Sequence, residues 1–283
     1  MTRAIQTSVL SGVLAQGSRA VSFVLGATTV AVLLGLWWLA AWRGWVAPRF
    51  LPPPWRVARA AVDLEPNVFV HTFFTAALIV AGLVIGTTAG IAMGLLMRQS
   101  FILRSSVMPV IESWRPVPPV AIVPFFIIWF GFAWAAKLLL VSLGVFLIII
   151  VGVVEAIDRV RPVYLRAALA FGASNWQFLR LAALPAITPN LLGPLRIALA
   201  VAVTLAIVSE YMGAAWGLGY VINVAMSTYA THTVLLCVII LGILGALLNT
   251  ALHVLDRRVT HWAELAEEAL VLTHKRRWKR VKL

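Results

Sequence analysis

Five charged side chains interrupt the apolar runs of this chain and are the first candidates for chemistry. Glu112 and Arg115 flank a proline-rich stretch, residues 107–119 (VMPVIESWRPVPP), while Lys137, Arg196 and Glu210 stand in or at the ends of other apolar runs. A charge in hydrocarbon is costly, so such a residue is by default functional, facing a pathway or an opposite charge. Arg115 is the best pathway candidate because Pro116, Pro118 and Pro119 follow it. Pro109, Pro116, Pro118 and Pro119 are expected to break the helical ladder, and broken backbone at membrane depth survives only inside protein or beside a water-filled cavity. A cationic pathway suits an anion. Arg196 is either a second pathway residue or a side chain snorkelling to the inner surface. Glu210 is a gate, a partner for Arg115 or Arg196, or a simple interfacial carboxylate.

Bond-making chemistry finds no support. No GxxxxGK[ST] loop is present to cradle nucleotide phosphates, and no GxSxG elbow. His71, His232, His253, His261 and His274 lack HExxH or any paired-ligand spacing, so no metal site and no catalytic residue is expected. The single cysteine, Cys237, excludes an intramolecular disulfide and a CxxC site. A membrane-embedded enzyme would need clustered His, Asp or Ser inside its spans, and there is none.

The elements that hold these residues are membrane helices. The chain of 283 residues is 62% hydrophobic and 12% charged, with mean hydropathy +0.97, where a soluble domain carries roughly 25% charged residues. At about 20 apolar residues per crossing, six spans are expected in one domain. They run over residues 22–42, 72–97, an irregular third through 107–132, 136–154, 190–212 and 233–255. Around them, 98–105 is expected as a basic turn and 56–64 as a short surface helix after the extended Leu51-Pro-Pro-Pro entry. A Gly-rich loop is expected over 213–220. In the second span Gly82, Gly86, Gly90 and Gly94 recur every four residues, which lines one face with glycine for close helix packing. Residues 22–42 are too long for a signal-peptide core, so the first span is expected to stay uncleaved.

Loop charge orients the spans. Arg3, Arg19, Arg98, Arg104, Arg159, Arg161, Arg166, Arg180 and the basic cluster 275–282 fall on one side, whereas the last loop of the other side, 212–232, has no basic residue. The positive-inside rule places both termini in the cytoplasm. The same asymmetry accounts for the net charge of +13 without nucleic acid, and the basic tail would lie near anionic headgroups.

Residues 161–185 (RPVYLRAALAFGASNWQFLRLAALP) therefore lie in the cytoplasm between the fourth and fifth spans. Pro162 suits a first helical turn, Gly172 permits a left-handed cap, and Ser174 with Gln177 has capping-box spacing. Trp176, Leu179 and Ala183 share one side of the second helix, which Leu184-Pro185 is expected to stop. The stretch is a docking corner for a soluble partner or an interfacial amphipathic loop.

These residues resemble the EAA loop of ABC importer permeases: two alanines, Gly after three residues, Leu-Pro after eleven more. Ala167, Ala168, Gly172, Leu184 and Pro185 match at the family spacing; Arg166 stands where the family has Glu, and Ala182 where it has Ile. Leu51-Pro-Pro-Pro, residues 115–124 (RPVPPVAIVP), Trp129-Phe-Gly131, Ser209-Glu210 with Met212-Gly-Ala214, and Gly217-Leu-Gly-Tyr220 are similar to the nitrate, sulfonate and taurine branch. The resemblance implies an all-α polytopic bundle with a cytoplasmic N-terminal segment (1–21), a six-span permease domain (22–255) and a basic tail (256–283). It implies a helix–Gly–helix coupling loop (161–185) that docks an ATPase through Arg166, Ala167, Ala168, Gly172, Ala173, Ser174, Leu184 and Pro185. The expected partners are two cytoplasmic ATPase subunits, a second permease copy, most simply a homodimer, and an extracytoplasmic substrate-binding protein. ATP and magnesium would sit on the ATPase and no cofactor on this chain. The expected setting is the bacterial inner membrane and the expected cargo a sulfonate, taurine or nitrate. A thiamine-related pyrimidine or riboflavin would also fit the branch. An ion-coupled secondary transporter is the alternative of another class; it requires inverted repeats and intramembrane carboxylates, and only Glu112 and Glu210 approach the latter.

Overall fold

Apolar runs this long can satisfy their backbone in a bilayer only as helices, and every regular element among the described residues is helical. The computed structural model describes the backbone of residues 2–281 except 65, 66, 161, 162, 164, 165, 167 and 169. Side chains are described for 21 and 24–260, with the same exceptions and Asn175. By contacts the chain divides into two units, Met1–Leu64 with Ala225–Leu236, and Glu65–Val224 with Cys237–Leu283.

The first unit holds α1 (Thr2–Arg43) and α2 (Pro54–Asp63). Pro53 is extended, and Pro54 opens α2 where its missing N–H costs nothing. That is two residues before the expected start. Trp37 Nε1–H donates to the Pro52 carbonyl at 3.1 Å, and Trp38 meets Trp55 edge-on at 5.5 Å. The proline entry is thereby tied back to α1.

The second unit is built on α3 (Val68–Gln99), α6 (Trp134–Asp158) and α7 (Leu192–Gly213). The four glycines of α3 face Val141, Val145, Ile149 and Val153 of α6, themselves spaced by four. A Cβ at Gly90 would lie 2.9 Å from Cβ of Ile149, closer than real side chains come, and 3.2 Å from the Ile150 amide nitrogen. Without a hydrophobic driving force between helices in lipid, close backbone approach and dispersion supply the cohesion. The other face of α6 repeats the device: Gly144 admits Leu205 of α7, and Gly152 admits Pro194. The buried core follows this axis through Leu78, Ile79, Val141, Val145, Ile149, Ala198, Ala202 and Leu205.

Among the described residues five helical stretches are long and apolar enough to cross a membrane: Val24–Arg43, Val68–Gln99, Trp134–Asp158, Trp176–Gly213 and Thr231–Thr260. Counted as one span, α4 (Phe101–Trp114) with the segment Pro119–Phe130 makes a sixth, bent by 96°. Its second half is a 3-10 turn, Pro119–Ile122, leading into α5 (Val123–Phe130). The six follow the expected order.

Several boundaries differ, each for a physical reason. Residues 98–105 are not a turn. Arg98 lies in the last turn of α3, and Ser100 alone breaks the chain, its hydroxyl accepting the Leu103 amide at 3.2 Å to start α4. Pro109 lies inside α4; only Pro116, Pro118 and Pro119 fall at the break. Leu184-Pro185 does not stop a helix. A π turn, Leu179–Ala183, widens the ladder so that the Leu184 amide reaches the Leu179 carbonyl. Pro185 then occupies the first turn of Leu184–Ile187, and a 3-10 turn, Thr188–Leu191, leads into α7. The Gly-rich loop is shorter than expected because α8 (Leu218–Ser227) begins inside it. Finally α9 (Thr231–Val281) continues through the basic tail as helix.

The seam predicts a contrast between two glycines. Gly90→Ile should cost about 1–3 kcal/mol by overpacking and lower the melting temperature of the purified protein. Gly193→Ala, where nothing lies within 4 Å of the new methyl, should leave it unchanged or raised, because alanine favours helix over glycine by about 1 kcal/mol.

Candidate functional site

Two features could serve transport: a protruding corner and a cavity beside the broken span. The corner is built by local backbone chemistry. Gly172 adopts φ +75°, and the Ala173 amide donates to the Ala168 carbonyl at 3.0 Å, a Schellman closure of the preceding helix. Two residues on, the Ser174 amide donates to Gln177 Oε1 at 2.8 Å and the Gln177 amide to Ser174 Oγ at 3.2 Å. This reciprocal capping box starts the next helix, Asn175–Phe178. Phe178, Leu179 and Ala183 are buried together, with Ala168 and Leu95 of α3 packed on them. Trp176, expected on the same side as Leu179 and Ala183, is exposed instead.

What the corner presents outward is apolar and basic. Phe171 is 90% exposed, Leu181 73% and Trp176 59%, and Arg166 and Arg180 are exposed. Residues 159–185 contain no acidic residue. Ala173 is half-buried beside the exposed Gly172 and Ser174, while Leu184 and Pro185 are half-buried, Leu184 against the core. Ala167 lies outside the described residues.

The cavity lies where the broken span leaves α6 and α7 uncovered. Its volume is about 320 Å³, and its walls include Trp114, Arg115, Pro119 and Ile122 from the break, Gly144 and Glu155 of α6, and Leu205 of α7. Two amides at the break are satisfied locally: Val117 donates to the Trp114 carbonyl and Ala121 to that of Pro118, each at 2.9 Å. The Arg115 guanidinium lies 3.7 Å from the Glu112 carboxylate and 4.0 Å from that of Glu155. All three side chains are half exposed, and such pairs contribute about 0–1 kcal/mol. The guanidinium is thus held only loosely, half exposed at the cavity wall. Pro116 and Pro118 shape the turn without lining the cavity.

The other charged candidates lie elsewhere. Arg196 donates from Nη2 to His253 Nδ1 of α9 at 2.8 Å on an exposed face. Glu210 is buried at 3% exposure and pairs with neither Arg115 nor Arg196. It accepts from Thr75 Oγ1 at 2.8 Å and from the Gly219 amide at 3.0 Å.

Sequence reasoning missed three residues here. Glu155 becomes visible only when the broken span folds against α6. His71 and Thr75 carried a legible signal, polar residues four apart on one face of an apolar helix. Among the described residues no group of His, Cys, Asp and Glu could hold a metal ion.

Comparison with known proteins agrees with this architecture. The chain is 34% identical over 252 residues to the taurine transport system permease protein TauC of Escherichia coli K12, covering 87% of this chain and 91% of that one. It is 27% identical over 248 residues to the putative aliphatic sulfonates transport permease protein SsuC of Bacillus subtilis, covering 87% and 90%. A chain of the solved inward-facing MetNI methionine ABC transporter superposes with a TM-score of 0.61 at 22% identity, over 70% of this chain and 99% of that one. Residues 82–261 match the family of binding-protein-dependent transport system inner membrane components. That match spans the glycine seam, the broken span, the corner and most of α9, and the chain belongs to this family: it is a membrane permease subunit, not an enzyme.

Proposed function

We propose that this chain is the permease subunit of an ATP-driven importer of small sulfonates, taurine the first among them. The corner at Gly172 is the observation that carries the mechanism. It is an exposed corner closed on one side by Gly172 and the Ala173 amide and on the other by the Ser174–Gln177 capping box. A partner gripping it moves whatever the two helices are rooted in, which is α6 on one side and α7 on the other. In this reading Arg166, Ala167, Ala168, Gly172, Ala173 and Ser174 meet the ATPase, and Leu184 and Pro185 root the corner in the bundle. Two ATPase subunits bind ATP and magnesium, two copies of this chain form the pathway, and an extracytoplasmic binding protein delivers the cargo. Both termini lie in the cytoplasm, by the loop-charge asymmetry.

Substrate class rests on the relatives and on charge. The two curated permeases above are named for taurine and aliphatic sulfonates. Arg115 at the cavity wall gives this chain a cation where a sulfonate would pass. Hydrogen-bond donors in a guanidinium fork match a planar or tetrahedral oxyanion.

Two substitutions test this reading. The position at Gly172 is open, with nothing within 4 Å of an added Cβ. Gly172→Ala therefore adds only the left-handed strain, about 1–2 kcal/mol, and should keep co-purification with the ATPase. Gly172→Trp should lose both co-purification and ATP-dependent taurine uptake, by steric conflict with the partner; unchanged assembly and uptake would refute the docking role. Arg115→Gln should reduce taurine uptake by about tenfold while leaving assembly intact, with Arg115→Lys retaining more, in line with about 1.5–3 kcal/mol for a charged hydrogen bond. Uptake indifferent to Arg115 removes it from the pathway, and uptake of a pyrimidine or riboflavin in place of taurine contradicts the substrate class.

A further inference from the structure

A helix that starts inside a protein leaves amide donors without partners, and a local cap residue normally takes one of them. At the start of α8 three successive amides are taken instead by side chains from two other helices. The Gly217 amide donates to His71 Nδ1 at 3.2 Å, the Leu218 amide to Thr75 Oγ1 at 2.8 Å, and the Gly219 amide to Glu210 Oε2 at 3.0 Å. The Thr75 hydroxyl donates onward to the same Glu210 oxygen at 2.8 Å, which links the two arms. His71 and Thr75 are one turn apart on α3, and Glu210 lies in the last turn of α7. All three are nearly inaccessible, at 1%, 0% and 3% exposure.

The backbone is shaped to admit them. Gly217 holds φ +110°, and a Cβ there would collide with the Glu210 carboxylate. A Cβ at Gly219 would lie 2.7 Å from that of Glu210. Asn223 adds a second tie, donating from Nδ2 to the Tyr211 carbonyl at 2.8 Å, one of the orphan acceptors that end α7. The Glu210 carboxyl oxygen that accepts the Gly219 amide faces the amide-bearing, positive end of α8. Separating these elements would strand three amide donors, a hydroxyl and a carboxylate away from water, each at the cost of a buried polar group without a partner.

We propose that His71, Thr75 and Glu210 are positioning residues that lock the start of α8 to α3 and to the end of α7 in one joint, closed throughout the transport cycle. The proposal rests on the importer reading above, since the cycle is that of the importer. Glu210 is then a fixed strut, and the movements of transport fall on other parts of the permease.

Hydrogen exchange on the full permease–ATPase complex in lipid nanodiscs tests this. Protection of amides 217–219 should agree within about threefold between the nucleotide-free and the vanadate-trapped ATP states. Loss of that protection in either state, by about tenfold or more, makes the contact a moving gate and overturns the proposal. A complex in which ATP alters exchange nowhere, the corner at 172–174 included, contradicts the importer reading itself and the joint with it. Among variants, Thr75→Val should lower protection at Leu218 and Gly219 by about tenfold, as expected for the loss of a buried hydrogen-bond partner. Thr75→Ser should restore it, and Glu210→Gln, which keeps an acceptor oxygen, should preserve it. Full protection in the Thr75→Val protein would remove Thr75 from the joint and overturn the three-residue account.

Discussion

Hydrocarbon offers no partner to a free amide or carbonyl, so each interruption of a membrane helix must be closed by the chain itself. This chain interrupts its helices in three important places and closes each differently. At Pro116–Pro119 local turns recapture amides, and the released space becomes a cavity. At 172–177 a left-handed glycine and a capping box end one helix and start the next, outside the bundle. Between α7 and α8 three side chains from distant positions take the amides that no neighbour can reach.

The glycine seam determines how these interruptions relate. With α3 pressed on α6 through four glycines, and α6 on α7 through Gly144 and Gly152, the three helices have no room to slide independently. The joint adds a hydrogen-bonded tie between α3 and the end of α7. The corner grows from α6 and returns into α7, so in the proposed importer a pull on it acts on one stiff body. The broken span, with its 96° bend and the cavity beside it, is the part least committed to that body. Rocking of two such bodies, each set in motion by its own ATPase, would change access to the pathway without unfolding any buried contact.

Periodicity made the spans, the glycine seam and the corner legible in the sequence, because each depends on residues within a few turns of one another. Gly172, Ser174 and Gln177 need only their neighbours to define a cap, and they form it as the spacing predicts. Helix ends were less legible where proline is concerned. Pro109 and Pro185 read as breaks, yet one sits inside α4 and the other follows a π turn that absorbs its missing donor. Least legible were partnerships across the bundle. Nothing local ties His71 or Thr75 to a loop more than a hundred residues later, or brings Glu155 to Arg115. Glu210 read as an interfacial or gating charge because its sequence neighbours are uncharged, and its true partners came from another helix.

In the proposed importer, ATP does its work by moving the corner at Gly172 as part of a stiff permease body. A spin label attached through Leu181→Cys at the exposed Leu181 of the corner, with the lone Cys237 replaced by alanine, places one probe on each copy of the permease in the assembled complex. The distance between the two labels, compared without nucleotide and with ATP trapped, should shift by several ångströms, on the scale of rigid-body transitions between subunits. An unchanged distance in a complex that hydrolyses ATP and transports taurine would contradict the account.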